Sequence, residues 1–285
     1  MTASPPPMPI APLGEVLNLT ADGQTLNAVV GPEYSNAPSM LPPEKGFPFG
    51  GLLAALCAKA MRHGLDVNVP MRTLSVQYLA AAKYGQPIGF NTRLLRGGRR
   101  ITYAAVEAFQ GDVMTHHATA TFGADSDGKS LKDAFQVPPA LDTMPDGPGM
   151  NTPFAPRFAA PVEFRFETGP NIFGGNKDRA RIERVWMRMR DASPLDELRL
   201  CYLLDAVYPP SWTGFEAPPI MTSVDLRYDF IAPTTPENTP DGWAFFEFAL
   251  QDHGLGWAVD DVKAWAADGT LLATSRQRRK VLSPE

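Results

Sequence analysis

Asp205 stands among Leu200, Tyr202, Leu203, Leu204 and Val207, in a run that reads as a helix with apolar residues on nearly every side. A carboxylate carried there loses solvation. Desolvation disfavours the charged form, so its pKa rises toward the range in which a general base works. The competing reading is a helix carboxylate that reaches solvent or an arginine partner. Gly50 and Gly51 offer a second kind of chemistry, because they open another apolar helix. The first turn of a helix leaves N–H groups unpaired, and glycine lets a ligand approach the backbone closely. Such a start could polarise a carbonyl group, or it could be only a tight junction between loop and helix.

Other reactive residues form weaker patterns. His116 and His117 are adjacent in a β-prone run, so their rings point to opposite faces and do not share one metal. Cys57, Cys201, His63 and His253 are scattered without zinc-ligand spacing, and no metal or cofactor is expected. The two cysteines lie in apolar segments and read as buried free thiols of a reducing, cytoplasmic compartment. The run Arg276-Gln277-Arg278-Arg279-Lys280 and the group Arg96, Arg99, Arg100 could meet phosphate groups, where guanidinium binds bidentately; solvated strand ends explain them equally well. Gly97-Gly98 and Gly174-Gly175 read as turns, since neither opens a helix as a dinucleotide loop would.

The 285 residues, 44% of them hydrophobic, suffice for one large core or two ordinary ones. No stretch approaches the roughly 20 apolar residues that span a bilayer, and none has the form of a secretory leader, so neither a membrane nor export is expected. A net charge of -5 argues against general nucleic-acid binding, which demands a basic face.

The elements that must hold these residues follow one another twice. An extended, proline-rich tail over residues 1–14 precedes a hairpin of Glu15 to Leu19 and Thr25 to Val30 around Ala21-Asp22-Gly23. Phe49 to Met61 then forms a helix so uniformly apolar that something must wrap it. Four β-prone runs follow, Arg72 to Ala80, Ile88 to Leu95, Arg100 to Gln110 and Val113 to Phe122, in the pattern of an antiparallel meander. Residues 124–160 are rich in Pro, Asp and Gly and read as a linker between a first unit, 15–123, and a second, 161–285. In the second unit Val162 to Phe166 and Ala180 to Met189 are strands. Ser193-Pro194-Leu195-Asp196 carries N-cap signals for a helix running to about Val207. Four more strands close the chain, Thr222 to Ile231, Trp243 to Gln251, Trp257 to Ala266 and Thr270 to Val281. Thr73-Leu-Ser-Val-Gln-Tyr-Leu-Ala-Ala81 even aligns with Asp225-Leu-Arg-Tyr-Asp-Phe-Ile-Ala-Pro233, as two copies of one unit would.

Two helix-plus-meander units with a Phe49-Gly50-Gly51 helix start, Leu203-Leu-Asp205-Ala in the second helix, and Ser223-Val-Asp225-Leu beside Ala273-Thr-Ser-Arg-Gln277 resemble the acyl-CoA thioesterase II family. The resemblance covers about Gly46 to Val281. It implies a tandem hot-dog fold of the α+β class, each half a long antiparallel sheet wrapped around a central helix. It further implies hydrolysis of acyl-CoA to free fatty acid and coenzyme A. In that family an aspartate on the second helix, a Thr or Ser opening the next strand and a Gln near the end of the last strand hold the hydrolytic water. Here these are Asp205, Ser223 and Gln277, with Thr222 beside Ser223 as the alternative hydroxyl.

With that chemistry the carboxylate would activate water, the hydroxyl and amide would orient it, and Gly50 and Gly51, with Phe49 before them, would receive the thioester. Arg276 and Arg278 would meet the coenzyme A phosphates. The first helix has Lys59 where the second has Asp205, and the second has Asp196-Glu197 where the first has its glycines. One complete site drawn from both halves is therefore expected, its pseudo-symmetric counterpart being inactive. A non-catalytic acyl-CoA-binding protein on the same fold is the alternative from another class. A hot-dog hydratase or dehydratase is less favoured, because no Asp-x-x-x-x-His run lies near either helix. Chain length of the acyl group, coenzyme A against a carrier protein, and homo-oligomer against monomer stay open.

Overall fold

The computed structural model describes residues 11–127, 129, 131, 136–145, 150, 152–169, 172 and 180–282. Most of the proline-rich tail and the Gly174-Gly175 turn lie outside the described residues.

The chain opens with a helical turn, α1 (Leu13–Val16), where the tail was expected to end and a strand to begin. Leu13 and Leu17 explain the difference. They sit about one helical turn apart, both are buried, and the Leu17 N–H donates to the Leu13 carbonyl at 3.0 Å. The hairpin is correspondingly shorter, β1 (Thr20–Asp22) and β2 (Thr25–Val29). Helix α2 (Gly50–Gly64) follows, then β3 (Met71–Tyr78), β4 (Pro87–Gly97), β5 (Thr102–Gln110) and β6 (Val113–Phe122). After the irregular segment come β7 (Val162–Phe166), β8 (Ile182–Met189), α3 (Glu197–Leu203), β9 (Met221–Phe230), β10 (Ala244–Gly254), β11 (Trp257–Trp265) and β12 (Leu271–Val281).

All twelve strands join one antiparallel sheet in the order β1-β2-β4-β5-β6-β3-β9-β12-β11-β10-β8-β7. The halves meet at β3 and β9, where Thr73 pairs with Asp229 and Gln77 with Asp225. Matching bulges, between Met71 and Thr73 on β3 and between Ser223 and Asp225 on β9, put the two strands in one frame, so that a pseudo-twofold passes between Ser75 and Arg227 and relates Met71 to Ser223 and Tyr78 to Phe230. The tandem hot-dog architecture follows from it: two helices, packed on each other, lie inside a sheet that curls around both. Helix α2 buries every residue from Gly51 to Met61 except Lys59, and its four alanines, with Gly51, keep it slim enough to touch both sheet and partner helix. No described helix is long and apolar enough to cross a membrane.

Two further features depart from the sequence reading. The N-cap of α3 is Asp196, which accepts from the Arg199 N–H at 2.8 Å, and not Ser193 three residues earlier. The helix also stops at Leu203 and does not continue to Val207. Asp205 N–H donates to the Tyr202 carbonyl and Ala206 N–H to Leu203, so the last turn tightens and leads the chain out toward Pro209-Pro210, which no helix can continue through. The described residues between β6 and β7 form no regular strand and yet pack closely. Phe158 stacks on Phe49 with centroids 3.8 Å apart, and Arg157 donates to the Leu41 carbonyl at 2.6 Å.

Candidate functional site

Because α3 ends early, Asp205 sits in the turn beyond it and its carboxylate points at the start of α2. Phe49, the N-cap of α2, offers no capping side chain. The Gly51 N–H is taken instead by Asp205, a residue of the other half. A helix start left with unpaired donors and a positive dipole end favours an anion at that place. Glycine is required on steric grounds. A Cβ at Gly50 would stand 3.0 Å from Asp205 Oδ2 and 3.3 Å from the Tyr78 hydroxyl, and one at Gly51 only 2.9 Å from the Tyr202 carbonyl. Tyr78 closes the floor by donating to the Gly50 carbonyl at 2.8 Å.

Asp205 is 7% exposed. Burial pushes its carboxyl up to about 6, while the Arg279 guanidinium, a hydrogen bond from Gln277 and the Gly51 N–H hold it from rising further. The carboxylate is thus desolvated and also lies 3.8 Å from an arginine. Beside it Gln277 Nε2 donates to Ser223 Oγ at 2.6 Å.

The pairing of Ser223 depends on a bulge. On β9, Leu226 and Tyr228 face the core, so simple alternation would turn Thr222 inward with them. Arg278 pairs with Asp225 but Arg279 with Ser223, which leaves Val224 as an extra residue. That extra residue rotates the strand and brings Ser223 to the inner face, while Thr222 stays exposed. The same bulge recurs at the matching place in the first half, between Met71 and Thr73.

Other candidates lie elsewhere. Phe49 is 3% exposed, wedged between Phe158 and Tyr202, and anchors the helix start without lining a ligand space. Arg276 and Arg278 point to the outer face of β12, where Arg276 forms two 2.7 Å hydrogen bonds with Asp261. Arg96, Arg99 and Arg100 are exposed on the β4–β5 hairpin, and the Arg100 carbonyl lies against Gly123, at the opposite end of the sheet from Asp205. Cys57 and Cys201 are free and fully buried, and burial pushes both thiols up, which keeps them protonated and inert. His116 is buried and held down to about 4 by desolvation, so it is neutral near pH 7. A cleft of about 810 Å³ between Thr25, Asn27, Gly89 and Asn91 is on the outer face of the sheet and does not touch Asp205.

Two residues beside Asp205 were not singled out in the sequence, Tyr78 and Asp260, and Arg279 was named only within the basic run 276–280 that could meet phosphate groups. Arg279 had a legible signal. It lies two places from Gln277, so on a strand the two share a face, whereas Arg276 and Arg278 share the other. Asp260 pairs directly with Gln277 across β11 and β12, a register no local pattern announces.

The chain matches the family model of the acyl-CoA thioesterase N-terminal domain over residues 38–123 and that of the acyl-CoA thioesterase C-terminal domain over residues 136–278. Among curated proteins none matches it by sequence. Among solved structures it is similar to a conserved protein of unknown function with a hot-dog fold from Alicyclobacillus acidocaldarius. The TM-score there is 0.82 and the identity 24%, over 96% of this chain and 98% of that one. It is also similar to the acyl-CoA thioesterase II TesB2 from Mycobacterium marinum, with TM-score 0.74 and identity 19%, over 96% and 99%. The dehydratase domain of RzxB from Pseudomonas fluorescens shares the fold at TM-score 0.55 and identity 10%, over 92% and 96%. At these identities the likenesses establish the fold, and the two family models covering most of the chain establish the rest. The chain belongs to the acyl-CoA thioesterase family and is a thioesterase, with the family's N-terminal and C-terminal domains in one polypeptide.

Proposed function

We propose that the chain hydrolyses fatty acyl-CoA of medium or long chain to free acid and coenzyme A, with Asp205 as general base and Ser223 and Gln277 as the groups that orient water and thioester. The observation carrying this reading is the buried Asp205 carboxylate at the bare glycine start of α2, with a hydroxyl and an amide at its side.

In the step envisaged, a water gives a proton to Asp205 as its oxygen attacks the thioester carbonyl carbon. The carbonyl electrons move to oxygen, which is stabilised by the Ser223 hydroxyl and the first turn of α2. Collapse of that intermediate breaks the C–S bond, and the proton held by Asp205 passes to the leaving thiolate. A base with a pKa of about 6 is ionised at neutral pH and still basic enough to take the proton. The free buried thiols support work in a reducing, cytoplasmic setting.

The test is thiol release from short, medium and long acyl-CoAs by the parent protein and by Asp205→Asn. Turnover by the parent, with kcat/KM rising through about pH 6, and loss of about 100- to 10,000-fold in the folded variant would support the reading. Binding without turnover would favour the non-catalytic alternative, and an unchanged rate in Asp205→Asn would remove Asp205 from its role.

A further inference from the structure

Behind Gln277 lies a buried ion pair that the proposed reaction does not itself use. Arg279 Nε donates to Asp260 Oδ2 at 2.8 Å, with the two side chains 13% and 2% exposed. The same guanidinium donates through Nη2 to Gln277 Oε1, and Nη2 lies 3.8 Å from Asp205 Oδ1. Asp260 Oδ1 is buried and accepts no hydrogen bond among the described residues, so this carboxylate depends on Arg279 for its compensation.

Donor and acceptor roles along this chain are forced. A guanidinium has five N–H donors and no acceptor, so the atom of Gln277 that faces it must be the carbonyl oxygen. The amide nitrogen then necessarily faces Ser223 and Asp205. Gln277 can only donate on that side, and Ser223 Oγ, which accepts from it, has its own proton left to donate. Were the amide turned over, N–H groups would oppose N–H groups at Arg279 and the serine would lose its partner.

We infer that Arg279, held in place by Asp260, is a positioning residue that fixes the amide orientation of Gln277 and holds a positive charge beside the base. This rests on the reading of Asp205 as the base. The charged and titratable groups facing Asp205 are Arg279 and Asp260 from β12 and β11, Tyr78 from β3, Tyr202 from α3 and Tyr228 from β9. Burial pushes the three tyrosines well up, so none titrates alongside Asp205, and only Arg279 and Asp260 contribute opposing charges.

Removing either charge should therefore move the acid limb of the kcat/KM profile in opposite directions. In Arg279→Met the limb shifts up by about one pH unit or more, and kcat falls about 10- to 100-fold with KM little changed. In Asp260→Asn the limb shifts down. Arg279→Lys keeps the charge and returns the limb toward the parent, but it cannot reach Asp260 and Gln277 together, so kcat stays low. If Arg279→Met does not fold, Arg279→Met with Asp260→Asn removes both buried charges and should retain the low kcat.

Limbs that move the same way, or stay fixed, in folded variants overturn the inference, as does parental kcat in the double variant. Asp205→Asn in the same assays separates the two claims. If it keeps the parental rate, or if the parent shows no turnover, the base assignment fails and this inference with it. If Asp205→Asn is inactive while the Arg279 and Asp260 variants behave as parent, only the inference fails.

Discussion

The pseudo-twofold offers each half of the molecule the same place, and the two places are lined by different side chains. Around Asp205 stand Ser223, Gln277, Arg279, Asp260 and Tyr78. The sheet register sets their counterparts as Met71, Ala120, Phe122, Ala104 and Phe230. Every polar group of one site is thus an apolar group in the other. The helix starts differ as well. Gly50 and Gly51 leave α2 open to an acid from the other half, whereas α3 begins with Glu197, whose own carboxylate accepts from the Met71 N–H at 2.9 Å and pairs with Arg62. Arg62 in turn lies 5.4 Å over the Phe122 ring. From sequence Lys59 was set opposite Asp205. In the structure Arg62 meets the opposite helix start, because α2 has fifteen residues and α3 only seven. A cavity of about 420 Å³ remains there, lined in part by Arg62, Met71, Glu197 and Phe230. Space alone therefore does not make a site. What separates the halves is an acid buried against the glycine start of the other half's helix in one, and a partly exposed acid opening its own helix in the other.

The sharpest way to break this comparison is to neutralise both acids. Asp205→Asn should lose about 100- to 10,000-fold in kcat, whereas Glu197→Gln should keep most turnover and instead lower thermal stability, since a partly buried Arg62 loses its charged partner at about 1 to 3 kcal/mol. Thiol release and thermal denaturation on the same preparations read both, and a large rate loss in Glu197→Gln would mean that the counterpart takes part in catalysis. Next in size, Ser223→Ala should reduce kcat about 10-fold and Thr222→Ala leave it near parental, because the bulge turns only the first inward. The reverse order would place the hydroxyl on the other face.

The smallest effect concerns stability. The folded-state pKa of Asp205 lies above the ordinary carboxylate value, so the folded protein holds this proton more tightly than the unfolded chain does. That contribution is fully present below about pH 4 and is lost as pH climbs through about 6. Asp205→Asn should accordingly raise the melting temperature at pH 7, by at most about 3 kcal/mol of stability, and the gain should vanish toward pH 4. A variant that is less stable at pH 7 would mean that the ionised carboxylate is held more favourably than its burial implies.

Much of this molecule is written locally. Strand alternation with turn residues marked eleven strands to within a few residues, with Val113–Phe122 and Val162–Phe166 matching end for end. The uniform apolarity of α2 required a wrapping sheet, and the repeated order of elements required two such units. Asp205 could be singled out as a buried acid because its neighbours in sequence are apolar. Local pattern failed where a residue's surroundings come from a distant segment. The helical turn at Leu13 needed the core that Leu13 and Leu17 enter. The end of α3 needed the helix start that Asp205 reaches, and Phe49 turned out to face Phe158, far along the chain.

Two decisions belong to the tertiary structure alone. The bulge at Val224 turned Ser223 inward and left Thr222 outside, and the pairing of β11 with β12 set Asp260 behind Gln277. Parity on β12, by contrast, follows from sequence once Gln277 is placed inward, and it sends Arg279 inward and Arg276 and Arg278 outward. Sequence determined which residue types were on offer and the period of each element, because propensity and patterning act over a few neighbours. Register, bulges and helix ends decided which of them met, because these are settled by packing between strands and helices that the chain brings together only when the sheet closes around its core.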